Sequence, residues 1–489
     1  MFSSRASDIL NSLQVTEATM LLKQYYLGCL AHASYLIADE RAGIAVVVDP
    51  QRDIDQYLDD AKEQGLQIRY AFLTHFHADF LAGHLELRDG VGATIGLGAK
   101  AEAEYAFQPL QDGEVIDLGA VRLEIRATPG HTPEAISIVV YDTEQDATKP
   151  HAVLTGDTLF IGDVGRPDLM ASVGVTAEEL GEMLYDSVHQ KLLTLPDETL
   201  VYPAHGAGSL CGKNLSTDTV STMGEQRRYN YALQPMSKAA FVNLVAANQP
   251  ETPAYFAYDA MRNRQERSTL DTTLEQELTP LTLDEVLRRL NSGAQVVDVR
   301  DVADVAGAHL AGSLTISLSG AYATWAGSLL DHEKPIVIVA EPGREYEAAM
   351  RLGRIGYDNV AGYLDGGMQA LETRPDLVER TERITAPTLA EQLDGPEPPV
   401  VLDVRTEQEW QTAHIAGSLN IPLQYLRERL DDVPRDRQLV VHCGSGYRSA
   451  IAVSILQQNG VTAPVDMVGG MGAWQASQLK TVTAEAGAQ

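Results

Sequence analysis

Five short segments of this 489-residue chain carry residues that could do chemistry, each at the end of a β-rich run. Four bring histidine or aspartate: Thr74-His75-Phe76-His77-Ala78-Asp79-Phe80, Thr128-Pro129-Gly130-His131-Thr132-Pro133, Leu154-Thr155-Gly156-Asp157-Thr158 and Val201-Tyr202-Pro203-Ala204-His205-Gly206. The fifth, Cys443-Gly444-Ser445-Gly446-Tyr447-Arg448-Ser449, follows Leu439-Val440-Val441-His442. Imidazole and carboxylate are metal-ligand groups, and tight turns at strand ends are where ligands from distant sequence converge. Leu123 to Ile125 and Ala152 to Leu154 read as the strands that feed the second and third turns. Cys443 precedes a Gly-rich turn and a helix from Ala450, so backbone N–H groups and the helix dipole are expected to favour its thiolate. Arg448 is expected to bind an incoming anion through a bidentate fork.

The first segment resembles the T-H-x-H-x-D-H signature of the metallo-β-lactamase superfamily, and the other three stand in that superfamily's order. In the signature the aspartate and the last histidine serve a second metal. Here the last position is Phe80, which cannot ligate. With Val164-Gly165-Arg166-Pro167-Asp168, the pattern looks like the persulfide dioxygenases. That resemblance implies one Fe(II) per chain, held by His75, His131 and Asp157. It leaves His77, Asp79 and His205 as surrounding groups that orient ligands or water. Two imidazoles and a carboxylate suit ferrous iron but also catalytic zinc, so the ligand types alone leave the metal open. Arg166 and Asp168 match positions lining the substrate site. Cys211 resembles a cysteine found near the iron in such fusions, and it admits a functional or a structural reading. If it is functional, Lys213 beside it is expected to acidify it. Cys29, in an apolar β-like stretch, reads as core.

The second half contains a repeat. Val296-Val297-Asp298-Val299-Arg300 recurs as Val401-Leu402-Asp403-Val404-Arg405, and His309-Leu310-Ala311-Gly312-Ser313 as His414-Ile415-Ala416-Gly417-Ser418. Asp365-Gly366-Gly367-Met368 recurs as Val468-Gly469-Gly470-Met471. β-rich runs alternate with helical patterns at Leu283 to Leu290 and Leu426 to Leu430, which predicts parallel sheets with covering helices. These pieces look like the rhodanese family of sulfurtransferases. The C-x4-R spacing of Cys443 and Arg448 is the sulfurtransferase one, not the wider C-x5-R of cysteine phosphatases. The first copy has Ala340-Glu341-Pro342-Gly343-Arg344-Glu345 at this place, with no cysteine. It is expected to be inert, a spacer or a docking surface.

Composition sets the outer bounds. A chain of 489 residues with 44% apolar content suits two to four soluble domains. The net charge of −31 opposes a general nucleic-acid surface and anionic membranes. Arg166, Lys213, Arg227 and Arg228 are the candidate local cations for an anionic substrate. Three cysteines argue for a reducing, cytoplasmic setting. Met1 to Met20 shows no signal-peptide pattern and reads as an extension.

The resulting expectation is an α/β multidomain chain. Residues 21–255 form an αββα metallo-β-lactamase sandwich, 270–378 a rhodanese-like domain without its cysteine, and 384–489 a rhodanese domain, with the segment from Glu251 to Thr279 a helical connector or the end of the first domain. The resemblance implies oxidation of a low-molecular-weight persulfide, such as glutathione persulfide, by O2 to sulfite and thiol. Cys443, cradled by Gly444, Ser445, Gly446 and Tyr447, would exchange sulfur between persulfide, sulfite and thiosulfate in sulfide detoxification. A dimer or tetramer is expected. The alternatives are a glyoxalase-II-like thioester hydrolase, which needs two metals, and a persulfide sensor using Cys211 and Cys443.

Overall fold

The computed structural model describes residues 19–169, 174–247, 249 and 251–483. All but two residues of the segment Met1 to Met20 lie outside that range. The chain divides into two compact units, one ending at Thr269 and one beginning at Leu270.

The first unit is built on two six-stranded sheets. The first has the order Met20–Leu27, His32–Asp39, Ile44–Val48, Gln67–Phe72, Thr94–Gly98, Gln108–Leu110. Its first three strands are antiparallel and the rest parallel. The second has the order Ser221–Thr222, Leu200–Pro203, Ala152–Gly156, Ile136–Asp142, Val121–Ala127, Val115–Asp117. Inward residues Tyr35, Ile37, Val46, Val48 and Phe72 meet Leu123, Ile125, Ile136, Ile138 and Leu154 in one core. The opposite faces are covered too. Leu36, Ala45 and Val47 pack on Tyr57 and Ala61 of the helix Asp55–Glu63. Val139, Val153 and Val201 pack on Leu184 and Phe241 from helices Ala177–Asp186 and Lys238–Ala246. Every residue of His32–Asp39 and of Ile136–Asp142 is therefore buried. Such strands read as continuous apolar runs instead of alternating ones. Each fully buried aliphatic side chain contributes about 1.5–3 kcal/mol.

The second unit holds two five-stranded parallel sheets with one topology. Pro280–Leu281, Val360–Leu364, Ile336–Val339, Gln295–Asp298 and Leu314–Thr315 form the first. Arg383–Ile384, Val465–Met467, Leu439–His442, Val400–Asp403 and Leu419–Asn420 form the second. The repeated motifs are structural. In each copy the D-V-R arginine closes on its own aspartate, at 2.6 Å for both Arg300–Asp298 and Arg405–Asp403. The same guanidinium donates to the carbonyl before the motif histidine, Ala308 at 2.8 Å and Ala413 at 2.7 Å.

Two expectations are corrected. The run Leu426 to Leu430 is not an α-helix; short 3-10 turns at Leu423–Tyr425 and Leu430–Asp432 flank it instead. Cys29 is not core: it lies half-buried in the turn between the first two strands, whose neighbouring Leu30 takes the inward place.

Candidate functional site

In the first unit, hydrogen bonds set the tautomers of His75 and His131. Asp49, at the end of Ile44–Val48, accepts from Thr74 N at 2.7 Å and from Thr74 Oγ1 at 2.8 Å. A hydroxyl has one proton, and here it goes to Asp49. The 2.9 Å contact between Thr74 Oγ1 and His75 Nδ1 therefore has the imidazole as donor, which leaves a lone pair on His75 Nε2. His131 Nδ1 faces the Arg166 carbonyl at 2.9 Å, so its Nε2 is also unprotonated. Asp157 Oδ1 accepts from His205 Nδ1 at 2.8 Å. The free Oδ2 lies 3.7 Å from His75 Nε2 and 3.4 Å from His131 Nε2. His75 Nε2 and Asp157 Oδ2 are buried without a hydrogen-bond partner.

Three lone pairs thus converge in a buried space. Two donors about 2.1 Å from one ion stand about 3.0 Å apart at a right angle and about 3.4 Å at a tetrahedral one. The donor set fits a divalent transition metal. Burial first, then neighbouring imidazoles, hold His75 well below its ordinary pKa, in the neutral form a ligand needs. His131 is lowered by burial too. Burial alone would raise Asp157, but His205 and His75 outweigh it and keep it ionised.

His205 stands between two carboxylates, Asp157 on Nδ1 and Asp79 on Nε2 at 3.0 Å. They overcome its burial and raise its pKa well above normal. His77 Nε2 faces Asp49 at 3.1 Å. His77, Asp79 and His205 form a second group within ligand reach of one another, and His77 Nδ1 and Nε2, Asp79 Oδ1 and His205 Nε2 are likewise buried without a hydrogen-bond partner. Phe80 is 1% exposed, with its ring 4.1 Å from that of His32 and 4.4 Å from that of His77.

Three residues here were not singled out in the sequence. His32 is fully buried, with neither ring nitrogen hydrogen-bonded. Asp49 orients Thr74 and faces His77. Asn263 clamps the first ligand loop: its amide donates to the carbonyls of His77 and Phe80, each at 2.8 Å, and accepts from Ala82 N at 2.9 Å. Arg267 adds bonds to the Ala82 carbonyl and to Glu86. The segment after Tyr255 is thus the end of the first unit, tied to its ligand loop. An aspartate closing an apolar strand could have drawn attention to Asp49; nothing local marks His32 or Asn263. Behind the second loop, Ser187 donates to the Pro129 carbonyl at 2.6 Å from the π-helical turn Ser187–Leu192.

The expected substrate residues gather at this site with different roles. Arg166 is buried, and its guanidinium meets both oxygens of Asp168 at 2.7 Å and the Leu210 carbonyl at 3.0 Å. It is a tie between two loops and not an open cation. Cys211 is fully buried and lies with Asp157 and His205 within ligand reach. The expectation of an acidic thiol is corrected: burial, then the Asp79 and Asp157 carboxylates, push its pKa well up. Lys213 does not face it either. Lys213 Nζ donates to the carbonyls of Leu244 and Ala247 at 2.7 and 2.9 Å, closing the end of Lys238–Ala246. Arg227 is spent on the Leu193 carbonyl at 2.8 Å and on Asp197, and Arg228 lies over Tyr229.

In the second unit, Cys443 follows Leu439–His442 and is 1% exposed. Gly446 N donates to its Sγ at 3.1 Å, and Ser449 Oγ lies 3.7 Å away. Gly446 has φ +107°, where a side chain is strained, and opens the helix Tyr447–Gln458. Gly470 supports the loop from beneath, where an added Cβ would stand 2.3 Å from the Cys443 carbonyl. That closeness lets Met471 N reach the Cys443 carbonyl at 2.7 Å. Two expectations are corrected here. The Arg448 fork is not open, because Nη1 and Nη2 each meet one oxygen of Glu409 at 2.7 Å. Tyr447 is not turned to the cradle; its hydroxyl donates to the Ser317 carbonyl of the cysteine-free copy at 2.7 Å, and its ring fills the space beside Gly320.

Residues 27–205 match the metallo-beta-lactamase superfamily, and residues 282–373 and 385–477 each match the rhodanese-like domain. The class is therefore a metallo-beta-lactamase domain followed by two rhodanese-like domains. The chain is 35% identical over 218 residues to the persulfide dioxygenase ETHE1 of Bos taurus, covering 44% of this chain and 76% of that protein. With its human counterpart the identity is 33% over 231 residues, covering 47% and 81%. The chain belongs to this persulfide dioxygenase family. A crystal structure of a metallo-beta-lactamase from Staphylococcus aureus superposes with a TM-score of 0.63 at 30% identity, over 71% of this chain and 99% of that one.

Proposed function

We propose that this chain oxidises a low-molecular-weight thiol persulfide with O2 to sulfite and free thiol, and passes sulfur through Cys443 between persulfide, sulfite and thiosulfate. The observation that carries the first half is the convergence of the His75, His131 and Asp157 lone pairs, with Phe80 where a further ligand would complete a second metal site. One Fe(II), when bound, would supply the oxygen activation and an open position for the terminal sulfur. The chain's own residues do the rest. Thr74 and the Arg166 carbonyl hold the two imidazoles in the ligating tautomer. His205 keeps Asp157 ionised and aimed. Phe80 packs buried against His32 and His77, and Cys211 lies buried beside Asp157 and His205.

At the second station, Cys443 attacks the terminal sulfur of R–S–SH. A new S–S bond to Cys443 forms, the S–S bond of the donor breaks, and R–SH leaves with the proton. Sulfite then takes the sulfur as thiosulfate and returns the Cys443 thiolate. Glutathione persulfide is the first donor to try, and sulfide detoxification in a reducing cytoplasm is the setting we infer, as a homo-oligomer. All three cysteines are free, and no helix among the described residues is long and apolar enough to cross a membrane.

The test is oxygen uptake by iron-loaded protein given glutathione persulfide, with sulfite and thiosulfate read from the same sample. His131→Ala is expected to bind less than a tenth of the iron and lose uptake with it. Full uptake without iron would overturn the metal reading, and no uptake at one iron per chain would overturn the oxygenase reading for that donor.

A further inference from the structure

The Arg448 fork is what a sulfurtransferase loop would use on an oxyanion, yet an internal carboxylate occupies it. Glu409 is not a mobile side chain that happens to rest there. It is the third residue of the helix Glu407–Thr412, and Thr406 N and Thr406 Oγ1 donate to its Oε2 at 3.0 and 3.1 Å. Glu409 N returns a bond to Thr406 Oγ1 at 3.2 Å, which completes a capping box. Moving Glu409 aside would break this cap as well as the ion pair. Glu409 borders an open cavity of about 500 Å³ that reaches Gly444 of the cysteine loop. Nη2 of Arg448 lies beside Gly444, 3.3 Å from where a Cβ would stand. The guanidinium on the wall, that of Arg405, is turned to Asp403 and the Ala413 carbonyl. The remaining polar lining includes uncharged Gln408, Thr412 and Gln475.

An oxyanion entering here meets a guanidinium already neutralised, with a carboxylate beside it. A thiol persulfide presents its terminal sulfur to Cys443 without needing the fork, and amide or hydroxyl groups on its carrier match the uncharged wall. We propose that Glu409 is a specificity-determining residue: by holding the Arg448 fork through its capping box, it makes Cys443 prefer persulfides of amide-bearing thiols over thiosulfate as the sulfur donor. This rests on the reading of Cys443 as the sulfur carrier. Both donors react by the same attack. With thiosulfate the bond broken is that between the outer sulfur and the sulfonate, and sulfite leaves as the dianion.

The experiment measures the rate at which Cys443 of the full chain becomes persulfidated, by mass spectrometry, with glutathione persulfide or thiosulfate as donor. The wild type is expected to react faster with the persulfide. Glu409→Gln keeps an oxygen for the cap and removes the charge, and should shift the ratio of the two rates toward thiosulfate by about tenfold. Glu409→Asp keeps the charge and should shift it less. Should Glu409→Gln not fold, Thr406→Ala loosens Glu409 from outside the cavity and should move the ratio the same way. An unchanged ratio in the folded variants, or a wild type that prefers thiosulfate, overturns the proposal and leaves the sulfur carrier standing. No sulfur on Cys443 from either donor overturns the sulfur carrier itself, and the proposal with it.

Discussion

The two rhodanese-like copies share a topology, a D-V-R ion pair and a pair of glycines under the loop, yet their loops hold opposite charges at one place. Their strand registers align Ala340 with Cys443, Gly343 with Gly446 and Glu345 with Arg448. The supporting glycine is the same, since a Cβ on Gly367 would stand 2.7 Å from the Ala340 carbonyl as Gly470 crowds Cys443. In the cysteine-bearing copy Gly446 N points at sulfur. In the other, Gly343 N donates to Glu345 Oε2 at 2.8 Å, so the cradle is filled by its own chain. The fold tolerates both loops because its stability comes from the apolar strands beneath, such as Val337 and Val440, each fully buried. The cysteine-free copy is hydrogen-bonded to the helix that follows Cys443. Besides Tyr447 on Ser317, Thr315 N donates to Ser454 Oγ at 3.0 Å and Gln458 to the Gly312 carbonyl at 2.9 Å, both partners lying on the helix that follows Cys443.

The largest expected effect is at Cys443. Cys443→Ser should reduce sulfur transfer by about a thousandfold or more, with oxygen uptake retained. Residual transfer through the other copy would break the contrast between them. Placing a thiol in the inert loop sharpens it: Ala340→Cys should take up no sulfur from persulfide, because Glu345 still occupies Gly343 N and repels a thiolate. Adding Glu345→Arg should make that cysteine reactive, and mass spectrometry on the Cys443→Ser background distinguishes the two. A reactive single variant would show that the carboxylate is not the block.

Smaller effects test the support. Tyr447→Phe removes one buried hydrogen bond and should cost about 1 kcal/mol of the second unit's stability, read as a lowered thermal midpoint. The smallest concerns pH. Burial works to raise Glu409, but Arg448 and Thr406 outweigh it and lower it from 4.5 to about 2. A depressed carboxyl contributes stability above its unfolded pKa and loses it as pH falls through the folded one. The difference in thermal midpoint between wild type and Glu409→Gln should stay constant above pH 4.5 and shrink from there toward pH 2. A difference that instead faded between pH 5 and 8 would remove Glu409 as its source.

By itself the sequence determined what is local. The ligand turns at strand ends, the cysteine loop, the repeat and the loss of one cysteine are all legible, because each lies within a few residues and follows from backbone geometry. Tertiary structure alone decided which atoms are free to act. Asn263 grips His77 across 186 positions, and Glu409 takes the Arg448 fork across 39. Lys213, Arg166 and Tyr447 stand in the right neighbourhoods but spend their polar atoms on a helix end, an aspartate and the other copy. The physical reason is that a buried donor or acceptor must find a partner. The partner it finds is set by packing, which no stretch of neighbouring residues encodes.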